Sequence, residues 1–140
     1  MTFNYYNDQD GDLVIIDKEV LPSGMTVQIE FALYDLNNVA VANVNLNVYK
    51  KRKQIERNTL CQTGKDGFKP LFWAMNKVKE FEEYAKTELY NPLPCYIQVY
   101  WADNRRGRLY KRYLPRYGFE LKNFGQGTML YKKIETANQI

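Results

Sequence analysis

At 140 residues the chain has room for one substantial core and not for two. A hydrophobic fraction of 45% and a charged fraction of 26% are those of a globular protein, and the longest apolar runs, such as Leu13-Val-Ile-Ile16, fall far short of a membrane span. The net charge of +4 makes an anionic partner the expectation, whether nucleic acid, an acidic protein surface or a phosphorylated cofactor.

The chain contains no histidine. That removes the commonest general base, the usual Ser/His and Cys/His nucleophile pairs, and most transition-metal sites. Any catalysis must use carboxylates, tyrosines, lysines, backbone amides or water. Cys61 and Cys95 are too few and too isolated for a disulfide framework or a zinc site. Met1 to Gly11 is polar and acidic without signal-peptide character, so a reduced, cytoplasmic setting is expected.

In chain order, Asp8-Gln-Asp-Gly-Asp12 stands at calcium-loop spacing from Glu19, but its glycine is at the fourth position where the sixth is required. Leu13 to Ile16 reads better as a short buried strand after a turn at Asp10-Gly11. Pro22-Ser-Gly24 is a second turn. Val27, Ile29, Phe31 and Leu33 then alternate with polar or small residues, and Ala42, Val44, Leu46 and Val48 do the same against Asn43, Asn45, Asn47 and Tyr49. Asn37-Asn38 between them can take the positive φ of a tight turn, which predicts an antiparallel hairpin. Lys50 to Leu60 is polar, basic and aperiodic, and is expected to be an irregular connection.

Cys61 to Lys69 carries Gly64 and Gly67 and leads into the longest helical pattern. Leu71, Ala74, Met75, Val78, Phe81, Ala85 and Leu89 recur at three- and four-residue steps, Pro70 sits in the first turn, and Asp66 is the expected N-cap. A glycine segment feeding a helix N-terminus either simply turns the chain or gathers amides for an anion. Asn91-Pro-Leu-Pro94 ends the helix, and Cys95 to Trp101 predicts a central strand parallel to the hairpin's second strand. Asp103 and Asn104 offer caps for a helix from Arg105 to about Leu114, with Leu109, Tyr110, Tyr113 and Leu114 inward. Tyr117-Gly-Phe119 and Leu121 open a further strand, Gly125-Gln-Gly127 turns the chain, and Thr128 to Ile134 closes the sheet. Glu135 to Ile140 reads as a frayed tail. The expected fold is a single α/β domain over residues 1–140, a mixed sheet flanked by helices, with no repeat or linker.

Asn104, Gly107, Leu109-Tyr110, Gly118-Phe119 and Met129 in the closing strand together resemble the GNAT family of N-acetyltransferases over about residues 26–134. The resemblance implies that acetyl-coenzyme A lies where two strands splay apart, with its diphosphate on the amides before the long helix. Those would be the amides around Gln62, Gly64, Lys65, Asp66, Gly67 and Phe68, with Lys65 or Lys69 adding charge. It further implies that Tyr110 protonates the departing thiolate, that Asn104 orients the pantetheine arm, and that Glu30 acts through water as base toward an acceptor amine. The sequence departs from the family in three ways. The glycine segment fits the phosphate-loop pattern loosely, with Lys69 at its final small position. About four extra residues separate Tyr110 from Gly118. Residues 1–25 show no amphipathic helix pair, so the family's acceptor side is reduced, supplied by a second copy in a homodimer, or absent.

A different function class also fits. Arg105-Arg-Gly-Arg-Leu-Tyr-Lys-Arg-Tyr113 interleaves cations with aromatics, as surfaces that bind single-stranded nucleic acid do. A basic nucleic-acid-binding module of the same fold is therefore the alternative to an acyltransferase.

Overall fold

The computed structural model describes residues 3–50, 53–57, 69–89, 94–101 and 104–134. Eight strands form one mixed sheet: β1 (Asn4–Asn7), β2 (Leu13–Val20), β3 (Thr26–Leu36), β4 (Val39–Lys50), β5 (Lys53–Arg57), β6 (Tyr96–Val99), β7 (Glu120–Asn123) and β8 (Thr128–Lys133). Two α-helices, α1 (Lys69–Glu88) and α2 (Asn104–Tyr113), interrupt them, and a 3₁₀ turn, Leu114–Tyr117, extends α2. The strand order is β1-β2-β3-β4-β6-β8-β7, with β5 paired to β4 off this path. All neighbours are antiparallel except β4 and β6, the pair joined across α1.

The β3–β4 hairpin forms as its alternation predicts. Asn37 and Asn38 hold φ of 49° and 69°, so the turn twists with its strands, and the ladder runs unbroken from Leu36–Val39 to Thr26–Tyr49. Period two puts Val27, Ile29 and Phe31 on one face with Ala42, Val44 and Leu46, all buried. The apolar stripe of α1 packs here, with Phe81 stacked on Phe31 at a centroid distance of 4.1 Å. Two half-sheltered ion pairs fasten the helix to the same face: Lys77 to Asp17 at 2.6 Å and Lys132 to Glu82 at 2.6 Å. Tyr110, Leu114 and Phe119 join this cluster from the α2 side. The other face presents Gln28, Glu30, Asn43, Asn45 and Asn47 along the hairpin.

Four expectations need correction. Residues 53–57 are not irregular: they form β5, because the outer edge of β4 offers amides and carbonyls that the backbone of this polar segment can pair with. Residues 4–7 form an edge strand, β1, that no apolar pattern announces. β2 begins at Leu13 as expected but runs beyond Ile16 to Val20, so Glu19 is a strand residue, and Asp8 turns its carboxylate onto the amides of Asp10 and Asp12 at 2.9 Å, in line with the preference for a turn and strand over a calcium loop. Tyr117 and Gly118 precede β7 instead of opening it, since Pro115 converts the end of α2 into a 3₁₀ turn closed by Gly118 at φ 95°. As expected, residues 3–25 contain no helix. The glycine segment 61–68, Asp103 and the tail 135–140 lie outside the described residues.

Candidate functional site

β4 is the hub because its two edges differ. β3 covers the inner edge throughout, but two partners share the outer edge. β6 runs parallel to it from Val41–Tyr96 to Val44–Val99, and β5 pairs with it from Asn47–Arg57 onward, with a bulge at Val48/Tyr49. Asn45 and Leu46 lie between the two partners. Leu46 is buried in the core, whereas Asn45 faces the other way and accepts from Asn43 Nδ2 at 3.4 Å. The chain leaves β6 just past this notch and enters α2.

Glu30 is cross-strand partner to Asn45, which puts it one strand from the notch, on the polar face. Its Oε1 accepts from Gln28 Nε2 at 3.1 Å, and no cation pairs with it among the described residues. Tyr6 is its neighbour: burial first, then the charges of Glu30 and Asp8 and the nearby Tyr49, push the Tyr6 phenol above its usual 10.0.

Tyr110 lies on the other side of the sheet. It is 1% exposed, belongs to the core cluster and already has an interaction partner, so it is not presented to solvent. Gly107, one turn earlier, is where α2 passes closest to the indole of Trp101; a Cβ there would meet the ring at 2.8 Å, so only glycine lets the helix lie this close. Asn104 is the first residue of α2 and exposed, and Lys69 is the first residue of α1 and exposed. Gln62, Gly64, Lys65, Asp66, Gly67 and Phe68 lie outside the described residues.

The structure therefore sets Glu30 beside the notch and carries Tyr110 in the apolar layer beneath the opposite face. Sequence reasoning did not single out Asn45, although the alternation of Asn43, Asn45 and Asn47 put it on the polar side of a strand. Nor did it single out Gln98, a buried amide on β6 that donates to Tyr131 Oη at 2.9 Å and to Met129 Sδ at 3.0 Å while accepting from the Tyr34 hydroxyl. Both phenols are pushed up, by burial foremost. Gln98 knits β3, β6 and β8 together and is structural. No cluster of three or more His, Cys, Asp or Glu able to hold a metal occurs among the described residues, and no described helix is long and apolar enough to cross a membrane. Compared with protein-family models, with curated proteins and with solved structures, the chain matches none.

Proposed function

We propose that the chain is an acyl-coenzyme A-dependent N-acyltransferase, taking acetyl-coenzyme A between β4 and β6 and passing the acetyl group to an amine. The observation that supports it most is the early end of the parallel ladder at Val44–Val99, while β4 runs on to Lys50. In α/β sheets, ligands occupy the crevice at the carboxyl ends of neighbouring parallel strands. In chain order α2 follows β6, and α1 follows β4 with the intervening β5. The order of elements and the lone parallel pair also agree with the GNAT-like fold that the motifs around Asn104 to Phe119 suggest.

In this reading the amides around Gly64 to Phe68 hold the diphosphate, an interaction worth roughly 0.3–1 kcal/mol per anionic group at a helix N-terminus. Lys69 adds its ammonium, and Asn104 orients the pantetheine arm. The amine attacks the thioester carbonyl directly, with no covalent enzyme intermediate, which suits a chain without histidine. Glu30 stands on the polar face and Tyr110 in the buried layer on the other side, so the thioester would reach Tyr110 by parting β4 from β6 beside the buried Leu46. Glu30 can thus take the amine's proton through water from the polar side, while Tyr110 gives its proton to the departing thiolate from the core side. Positioned acid–base assistance of this kind contributes about 10²–10⁴ in rate. The acceptor meets a face without the helix pair that the family usually supplies.

Thermal melting with acetyl-coenzyme A tests the reading. Saturation at a hundred times Kd stabilises a fold by about 2.7 kcal/mol, a shift of several degrees for a chain of this size. Gly67→Asp should abolish the shift by setting a carboxylate against the diphosphate. Tyr110→Phe should lower turnover with cofactor affinity retained. No shift at millimolar cofactor ends the proposal.

A further inference from the structure

From Asn104 to Phe119 the chain carries six cations and no acid, more positive charge than the net +4 of the whole protein, so the remainder is net acidic. This stretch is one of two strongly basic ones, the other being the run Lys50-Lys-Arg-Lys53. Arg108, Lys111 and Arg112 share a face of α2 at three- and four-residue steps, and Arg116 follows one turn later on the 3₁₀ extension; all four are exposed. None of the four has an acidic partner among the described residues. By contrast, the cations Lys77 and Lys132, which face α1 or extend from it, are each committed to a carboxylate.

These cations rest on rings. The Arg112 and Arg116 guanidiniums lie 5.5 and 5.7 Å from the centroid of Tyr113, and Lys111 Nζ is 5.2 Å from that of Trp101. Stacking on a ring limits the freedom of a long side chain, so less is lost when a phosphate is bound. Tyr100, next to Trp101 in sequence, is 50% exposed, and among the described residues no ring or cation stacks on it. Phosphate-binding cations and guanidinium planes on α2, with an exposed ring in the segment that leads into it, make the combination that single-stranded nucleic acid uses, through backbone contacts and base stacking. An acidic protein surface would need the charges but would gain nothing from the rings.

We infer that the ridge formed by α2 and its 3₁₀ extension docks single-stranded nucleic acid, independently of whether the notch between β4 and β6 binds a thioester. The experiment is fluorescence anisotropy with labelled oligo-dT and oligo-U across a salt series. With about four phosphates neutralised, log K should fall against log salt with a slope of about −2 to −3. Arg112→Glu/Arg116→Glu should weaken binding by at least about tenfold, and Tyr100→Ala by about five- to tenfold through lost stacking. A charge-matched control, Lys18→Glu/Lys79→Glu, reverses two exposed lysines elsewhere and should leave affinity within about threefold. Unchanged melting temperatures certify the fold of each variant. An equal loss in the control, equal affinity for polyglutamate, or no binding at 50 mM salt would each overturn the inference, the second in favour of an acidic protein partner.

Discussion

At the amino end of the β4–β6 pair, Cys95 N–H donates to Ala40 O and Ile134 N–H donates to Cys95 O, both at 2.9 Å, so three chain segments are tied where β6 begins. Tyr96, Phe124 and Tyr131 close over that end, Phe124 lying 5.0 Å from Tyr96 and 4.7 Å edge-on to Tyr131. At the carboxyl end the ladder stops at Val99, and β4's outer edge passes from β6 to β5. Among the described residues, the amino end is thus closed by both hydrogen bonds and packed rings. At the carboxyl end the described contacts are of another kind, the indole of Trp101 lying against Gly107 and under Lys111 at the start of α2.

The sharpest way to break that contrast is to dismantle the closed end. Tyr131→Ala removes a fully buried ring and the acceptor of the Gln98 amide, and should cost about 3–5 kcal/mol, read as a fall in urea midpoint. If the two ends are separate in function, acetyl-coenzyme A affinity measured on the surviving folded fraction should be unchanged.

The complementary change at the open end is smaller. Gly107→Ala drives a methyl into the Trp101 indole, where overpacking costs about 1–3 kcal/mol, while alanine returns up to about 1 kcal/mol of helix propensity. Net destabilisation should be about 1 kcal/mol, yet cofactor affinity should drop, because α2 and Asn104 must shift. Lost stability with unaltered affinity would separate α2 from the ligand.

Alkaline titration gives the smallest and most graded effect. Burial raises the phenols of Tyr34 and Tyr131 above their usual 10.0. For Lys77, desolvation is the largest single influence and acts downward, but the hydrogen bonds to Asp17 and Glu80 and the charges of both carboxylates together lift the ammonium above 10.5. Each group keeps its proton longer folded than unfolded. Their stabilisation is therefore complete below about pH 10 and is lost as pH rises through the folded values. Melting temperature should fall above pH 10, and Tyr131→Phe should make that fall shallower. An equally steep fall in the variant would remove the closed-end phenol from the account.

What the sequence revealed follows from how local each signal is. The β3–β4 hairpin and α1 were legible because period two, the Asn37-Asn38 turn and the apolar spacing from Leu71 to Leu89 are properties of neighbouring residues. β5 was not, since Lys53-Gln-Ile-Glu-Arg57 has one apolar residue and becomes a strand only by meeting a free edge of β4. β1 escaped for the same reason: Asn4-Tyr-Tyr-Asn7 is exposed throughout. Of the candidate site, α2 with Asn104 and Tyr110 could be placed from its motif. The notch could not, because it depends on where β6 stops against β4, a matter of register between segments fifty residues apart. For the same reason, Glu30 was chosen for its polar face, and only the pairing with Asn45 puts it beside the opening.

Amide chemical-shift mapping with acetyl-coenzyme A tests the central claim most directly, because it reports both ends at once. The account predicts shifts at Asn45, Leu46, Tyr100, Asn104 and Lys69, and in the segment 61–68, with Tyr96, Phe124 and Tyr131 unmoved. Shifts confined to the aromatic end, or none at saturating cofactor, would contradict it.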